Sequence, residues 1–175
     1  MNSEKWINEI PVSTAWYLTG FADGEGSFNL SLKHDSEYQV KWHIEPSFNV
    51  SQKDISILVL YKRYLGVGTI RQRKDGVYYY EVRNCNALYE RVIPFFNKYS
   101  FYSATKKKNF SIFQKIVRLI HQRFHLTKDG LNEILLLREE LNKGHGRKRK
   151  YSLDDYLSSQ TESPETIRQI RRRAE

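Results

Sequence analysis

The chain has one cysteine, four prolines and no long apolar run in its 175 residues. The lone Cys85 excludes an internal disulfide and any zinc site built from several cysteines, and it fits a reducing compartment. No apolar stretch approaches the roughly 18 residues that a membrane-spanning helix requires. The opening MNSEKWINEI has neither the apolar core of a secretory signal nor an Arg/Ser-rich transit pattern. The expectation from these absences is a soluble, intracellular protein. Acid is also in short supply: 29 Lys and Arg against 20 Asp and Glu leave a net charge of +9. That excess points to a polyanionic partner, most often nucleic acid, although ribosomal proteins and merely soluble basic proteins share it.

What is present is patterned for one domain with a real core. Pro11 and Ser13 make a helix entry, with Ser13 as N-cap, and the helix runs over 14–23. Its apolar positions, Ala15, Trp16, Leu18, Phe21 and Ala22, cover more than one face and so demand burial on several sides. Small residues at Ala15, Gly20 and Gly24 permit close approach of another helix, a second copy of this one included. Two strands of period two follow. In the first, Phe28, Leu30 and Leu32 alternate with Ser27, Asn29, Ser31 and Lys33. In the second, Val40, Trp42, Ile44, Phe48 and Val50 alternate with Lys41, His43, Glu45, Ser47, Asn49 and Ser51, and Pro46 interrupts the apolar row.

A helix over 54–64 then buries Ile55, Leu58, Val59 and Tyr61. Gly66 and Gly68 turn the chain into a hairpin, 69–73 and 77–83, around Lys74-Asp75-Gly76. Helices follow over 87–98, 106–124 and 128–142. This order predicts an α+β domain with one antiparallel sheet, helices on one face and the other face open. The domain covers 13–143, between an N-terminal arm, 1–12, and a basic tail, 144–175, with short helical segments.

The most informative run is 18–27, LTGFADGEGS. An apolar helix turns abruptly acidic and glycine-rich, with Asp23 and Glu25 set beside glycines. Such a helix end can hold a divalent cation, Glu25 as ligand and Gly24 through its carbonyl; the bland alternative is two carboxylates solvating a turn. A phosphodiester is hydrolysed at neutral pH when charge is neutralised and water deprotonated, which carboxylate-held divalent metals achieve. With the apolar helix before it and the alternating strand after it, the run resembles the signature of the LAGLIDADG homing endonucleases, site-specific DNases encoded by mobile introns and inteins.

The resemblance extends over about 14–150 and implies roles by position. Glu25 would bind the catalytic Mg2+, with Mn2+ substituting; Asp is commoner there, and Glu keeps the chemistry on a longer arm. FNVSQK places Gln52 where relatives orient the metal-bound water network. KKKNFSIFQKIV makes Lys106 the match to the active-site lysine. Relatives often carry an arginine a few residues beyond the Gln, where DISIL offers only Asp54 and Ser56, so another basic residue such as Lys53 compensates or activity is weaker.

The implied fold is a twisted antiparallel saddle whose open face enters the major groove of duplex DNA. Groove-facing candidates are Asn29, Ser31, Lys33, Tyr38, His43, Glu45, Ser47, Asn49, Arg71, Arg73, Tyr78 and Tyr80. Lys107, Lys108, Arg147, Lys148, Arg149 and Lys150 resemble phosphate contacts; a localisation signal or solubility tail is the rival for RKRK. The signature occurs once, so the expected enzyme is a homodimer packed through Trp16, Tyr17, Gly20, Phe21 and Gly24 and cutting a near-palindrome of about 20 bp. Its setting would be a bacterial cytoplasm or an organelle with its own genome. The alternatives are an intron RNA maturase and a non-cleaving DNA-binding regulator.

Overall fold

The computed structural model describes residues 5–34, 42–143 and 149–161. A short helix α1 (Lys5–Asn8) leads into α2 (Val12–Glu25). Helix α2 starts earlier than expected, with Pro11 at the cap and no side-chain capping bond. The Pro11 carbonyl accepts from the Ala15 N–H at 2.9 Å, which puts Ser13 inside the first turn. Proline suits that place because its φ is preset and a helix start has no partner for an N–H.

At the other end α2 passes without a spacer into β1 (Gly26–His34). A Cβ on Gly26 would stand 2.6 Å from the Ala22 carbonyl oxygen, so this direct entry requires glycine.

The sheet has the order β1-β2-β4-β3, with β2 (Trp42–Gln52), β3 (Thr69–Gln72) and β4 (Tyr78–Val82), all neighbours antiparallel. Register sorts the side chains by face. Phe28–Phe48, Leu30–Pro46, Leu32–Ile44, Val50–Tyr80 and Ile70–Tyr80 pair on the face the helices cover. Ser27–Asn49, Asn29–Ser47, Ser31–Glu45, Lys33–His43, Asn49–Glu81 and Arg71–Tyr79 pair on the other. Pro46 does not interrupt β2. Strand β4 reaches only as far as Phe48, so at Pro46 one side of β2 has no strand that asks for an N–H.

The same register corrects two expectations. Tyr80 is fully buried on the helix side, stacked on Tyr61 with ring centroids 5.6 Å apart and its hydroxyl donating to the Val67 carbonyl at 3.0 Å. Tyr78 shares that face and packs half-buried against the core. Neither faces the groove; Tyr79, Glu81 and Arg83 do.

Helix α3 (Ser56–Leu65) buries Ile57, Leu58, Tyr61 and Leu65 and leaves Ile55 and Val59 exposed, again unlike the expectation. Asp54 accepts from the Ser56 N–H at 2.8 Å and starts the helix later, turning a different stripe inward. The expected helix over 87–98 is α4 (Cys85–Ala87), a π-helical turn Leu88–Val92 and α5 (Ile93–Lys98). Pro94 has no N–H for the Glu90 carbonyl, and the ladder passes this region with the Ile93 N–H reaching Leu88, five residues back.

Helix α6 (Ala104–His121), a 3-10 turn Phe124–Leu126 and α7 (Lys128–Glu140) complete the layer. Between the layers Phe28 packs with centroid distances of 5.2 Å to Phe48, 5.9 Å to Phe96, 5.8 Å to Phe101, 5.4 Å to Phe110 and 5.0 Å to Phe113. Beyond α7, helix α8 (Leu153–Thr161) folds back so that Tyr151 and the buried Tyr156 lie edge-on to Trp42.

Candidate active site and nucleic-acid interface

The corner where α2 becomes β1 gathers the acidic and basic groups of the signature. Glu25 is the last residue of α2 and is exposed, as is Gly24, around whose Cα nothing lies within 4 Å of an added Cβ. Asp23 is committed elsewhere. Its carboxylate accepts from the Tyr102 N–H at 3.1 Å, the Ser103 N–H at 3.0 Å and the Ser103 hydroxyl at 2.5 Å. Burial works to raise its pKa, but these bonds and the charge of Lys106 outweigh it and hold Asp23 below the usual carboxylate value.

Lys106 lies in the first turn of α6, which Ser103 caps. Its ammonium donates to the Gly26 carbonyl, one residue beyond Glu25. Burial lowers the pKa of this half-buried amine, and Asp23 and Glu25 oppose that by their charge. Gln52 ends β2 at the same end of the sheet: Gly26 pairs with Val50, two residues earlier. The Gln52 side-chain oxygen accepts from the Lys53 N–H at 2.7 Å.

The open sheet face lines a groove of about 1220 Å³. Its floor includes Ser27, Asn29, Ser31, Ser47, Asn49, Ser51, Tyr79 and Glu81, and one wall is Arg138, Glu139 and 141–143 with Arg149 and Lys150. Several charges on this face are paired. Lys33 meets Glu45 at 2.8 Å, Arg83 meets Glu81 at 2.8 Å and Glu45 at 3.9 Å, and Arg73 meets Asp75 at 2.6 Å. Burial works to raise the pKa of Glu45, yet Lys33 and Arg83 keep it low. Such pairs on a wet surface exchange readily for other partners. Among the described residues, no cluster of three or more His, Cys, Asp or Glu is arranged to hold a metal. Glu25 offers one unengaged carboxylate, which suits a cation that takes its remaining oxygen ligands from water and a substrate phosphate.

Residues 18–117 match the family model described as LAGLIDADG endonuclease. The chain belongs to the LAGLIDADG endonuclease family. A probable intron-encoded endonuclease of Neurospora crassa is 32% identical over 145 residues, which span 81% of this chain and 32% of the relative. The archaeal intron-encoded homing endonuclease I-Vdi141I, solved in complex with DNA, matches with a TM-score of 0.77 at 33% identity, over 83% of this chain and 93% of that one. I-SmaMI, bound to its uncleaved DNA target in the presence of calcium ions, matches with a TM-score of 0.73 at 28% identity, over 85% of this chain and 49% of that one. The chain thus spans about a third of the Neurospora relative, nearly all of one solved LAGLIDADG chain and about half of another.

Within this LAGLIDADG unit the remaining candidates fall as follows. Asn29, Ser31, Lys33, His43, Glu45, Ser47, Asn49, Arg71 and Arg73 stand on the open face. Tyr38, Arg147 and Lys148 lie outside the described residues. Lys107 and Lys108 are exposed on α6 but are not among the groove-lining residues. Arg149 is held: its guanidinium donates to Glu139 at 2.6 Å and to the Arg138 and Leu141 carbonyls at 2.6 and 2.8 Å. On α2, Trp16, Tyr17, Gly20 and Gly24 are exposed and Phe21 is half-buried, whereas Ala15 is turned fully into the core.

Proposed function

We propose that this chain is a site-specific double-strand DNA endonuclease that works as two copies, each cutting one strand with a divalent metal ion, Mg2+ with Mn2+ as substitute. The observation that carries this reading is the corner beside the groove: an exposed, unengaged Glu25 next to a Lys106 ammonium fixed on the following carbonyl. Two relatives were solved with DNA, which supports a duplex as the occupant of the groove.

When bound, the metal supplies charge neutralisation and acidifies its water. Glu25 and the Gly24 carbonyl would hold it. Gln52 orients water at the end of β2, and Lys106 places positive charge where negative charge builds on the phosphate. On the sheet, Arg71 and Arg73 suit guanine edges, while Glu45 and Glu81 suit the exocyclic amine of cytosine. Lys107, Lys108 and Lys150 serve the phosphate backbone and add no sequence information.

The test is cleavage of a randomised duplex library in Mg2+ with the cut ends sequenced. A single near-palindromic site cut at matched offsets on both strands is expected. Tight binding without cutting would replace this reading with a regulator, and tight binding to intron RNA alone with a maturase. In the same assay Glu25→Gln should cut slower by more than about 100-fold, beyond the loss typical of an outer-shell partner, with duplex affinity retained. Cutting at the wild-type rate would refute the metal assignment.

A further inference from the structure

Asp23 is out of place as a plain helix residue. A carboxylate in the last turn of α2 opposes the dipole of its own helix. It is well placed for the other helix: its three donors all belong to Tyr102 and Ser103, the residues that lead into α6. The Ser103 hydroxyl that donates to Asp23 also accepts from the Lys106 N–H at 3.3 Å. A chain of directed bonds therefore runs from the turn that carries Glu25 to the turn that carries Lys106, across 80 positions of sequence. Within it the Lys106 ammonium reaches back to Gly26 and closes a ring between the two helices.

We propose that Asp23 is a positioning residue for cleavage: through Ser103 it sets Lys106 beside Glu25 without itself touching DNA or metal. This rests on the nuclease reading above. Losing a carboxylate that only solvates a turn would alter the charge that Lys106 feels but leave its ammonium in place on the Gly26 carbonyl. Losing a clamp would let the first turn of α6 move against α2, and a reacting group misplaced by about 1 Å costs on the order of 100-fold in rate.

The experiment compares Asp23→Ala, Ser103→Ala and Ser103→Thr with wild type on the duplex returned by the library. It reads single-turnover cleavage in Mg2+, half-saturating duplex concentration, and the rate at which an amine-reactive reagent labels Lys106 without DNA or metal. Asp23→Ala and Ser103→Ala should each slow cleavage about 10- to 100-fold, with the half-saturating concentration unmoved. Ser103→Thr keeps both the hydroxyl and the N–H and should keep the rate. Lys106 should label faster in Ser103→Ala, which keeps the Asp23 charge and breaks the bond between the two turns, than in wild type. Added to Lys106→Ala, Asp23→Ala should cost nothing further, because both act through one group.

Losses that multiply in the double variant, or labelling that does not change, would overturn the clamp while leaving the nuclease intact. A wild-type chain that cuts no duplex overturns the nuclease reading and this role with it. If Asp23→Ala does not fold, the Ser103→Ala and Ser103→Thr pair makes the same comparison.

Discussion

At the scale of single residues, the signature separates two carboxylates that look alike in sequence. Glu25 stands exposed at the helix end, while Asp23, two residues earlier, is spent on the start of α6. The division has a pH signature. The folded-state pKa of Asp23 is depressed below its ordinary 3.8, so its contribution to stability is complete above that value and is lost as pH falls through the folded-state one. Melting temperatures of wild type and Asp23→Asn should therefore differ at neutral pH and converge as the solution is acidified below about pH 4. A gap that stays constant down the acid limb would mean that Asp23 does not titrate with folding. Cys85 shows burial acting alone: it pushes the thiol up to about 11, which makes this cysteine a poor nucleophile at neutral pH.

At the scale of elements, β1 is a sheet edge, and edges left open invite pairing with other chains. Here the end of α7 covers it. Arg138, 4% exposed, donates to the Leu30 carbonyl at 3.0 Å, and Asn142 donates to the Phe28 carbonyl at 2.7 Å. Arg138→Met keeps the bulk and removes the donors, stranding a buried carbonyl at a cost of about 1–3 kcal/mol. Urea unfolding should report that loss, and an unchanged midpoint would show that water replaces the guanidinium.

The sequence is readable at this scale wherever period two holds, as in β1 and in β2 on either side of Pro46, whose faces follow from alternation. It failed in VYYYEVR, where three successive tyrosines carry no parity. Only the pairing of Tyr80 with Val50 turns Tyr80 inward and Tyr79 toward the groove. Arg149 is a related case: a basic run shows charge but not the Glu139 carboxylate and the backbone carbonyls that hold this guanidinium. The Asp23 clamp was equally hidden, since its partners are far along the chain.

At the scale of the whole molecule, one face of α2 is left largely uncovered by the described residues, although the Trp16 ring lies edge-on to Tyr99. Val12 is 63% exposed, Tyr17 57% and Trp16 40%, and Gly20 and Gly24 lie on the same side with open space around them. Apolar side chains beside glycines let two helix backbones approach closely, and the match to about half of I-SmaMI fits a unit that works in pairs. The two requirements, folding and pairing, can be separated at Gly20. A Cβ there meets nothing within 4 Å in the chain itself, and leucine exceeds glycine in helix propensity, so Gly20→Leu should fold with the circular dichroism of wild type. The same side chain would stand between two α2 helices and force them apart. Sedimentation should then find wild type as a dimer and Gly20→Leu as a monomer, with double-strand cleavage lost. A wild-type monomer would put the second catalytic unit elsewhere, and a Gly20→Leu dimer would mean that the copies meet through another surface.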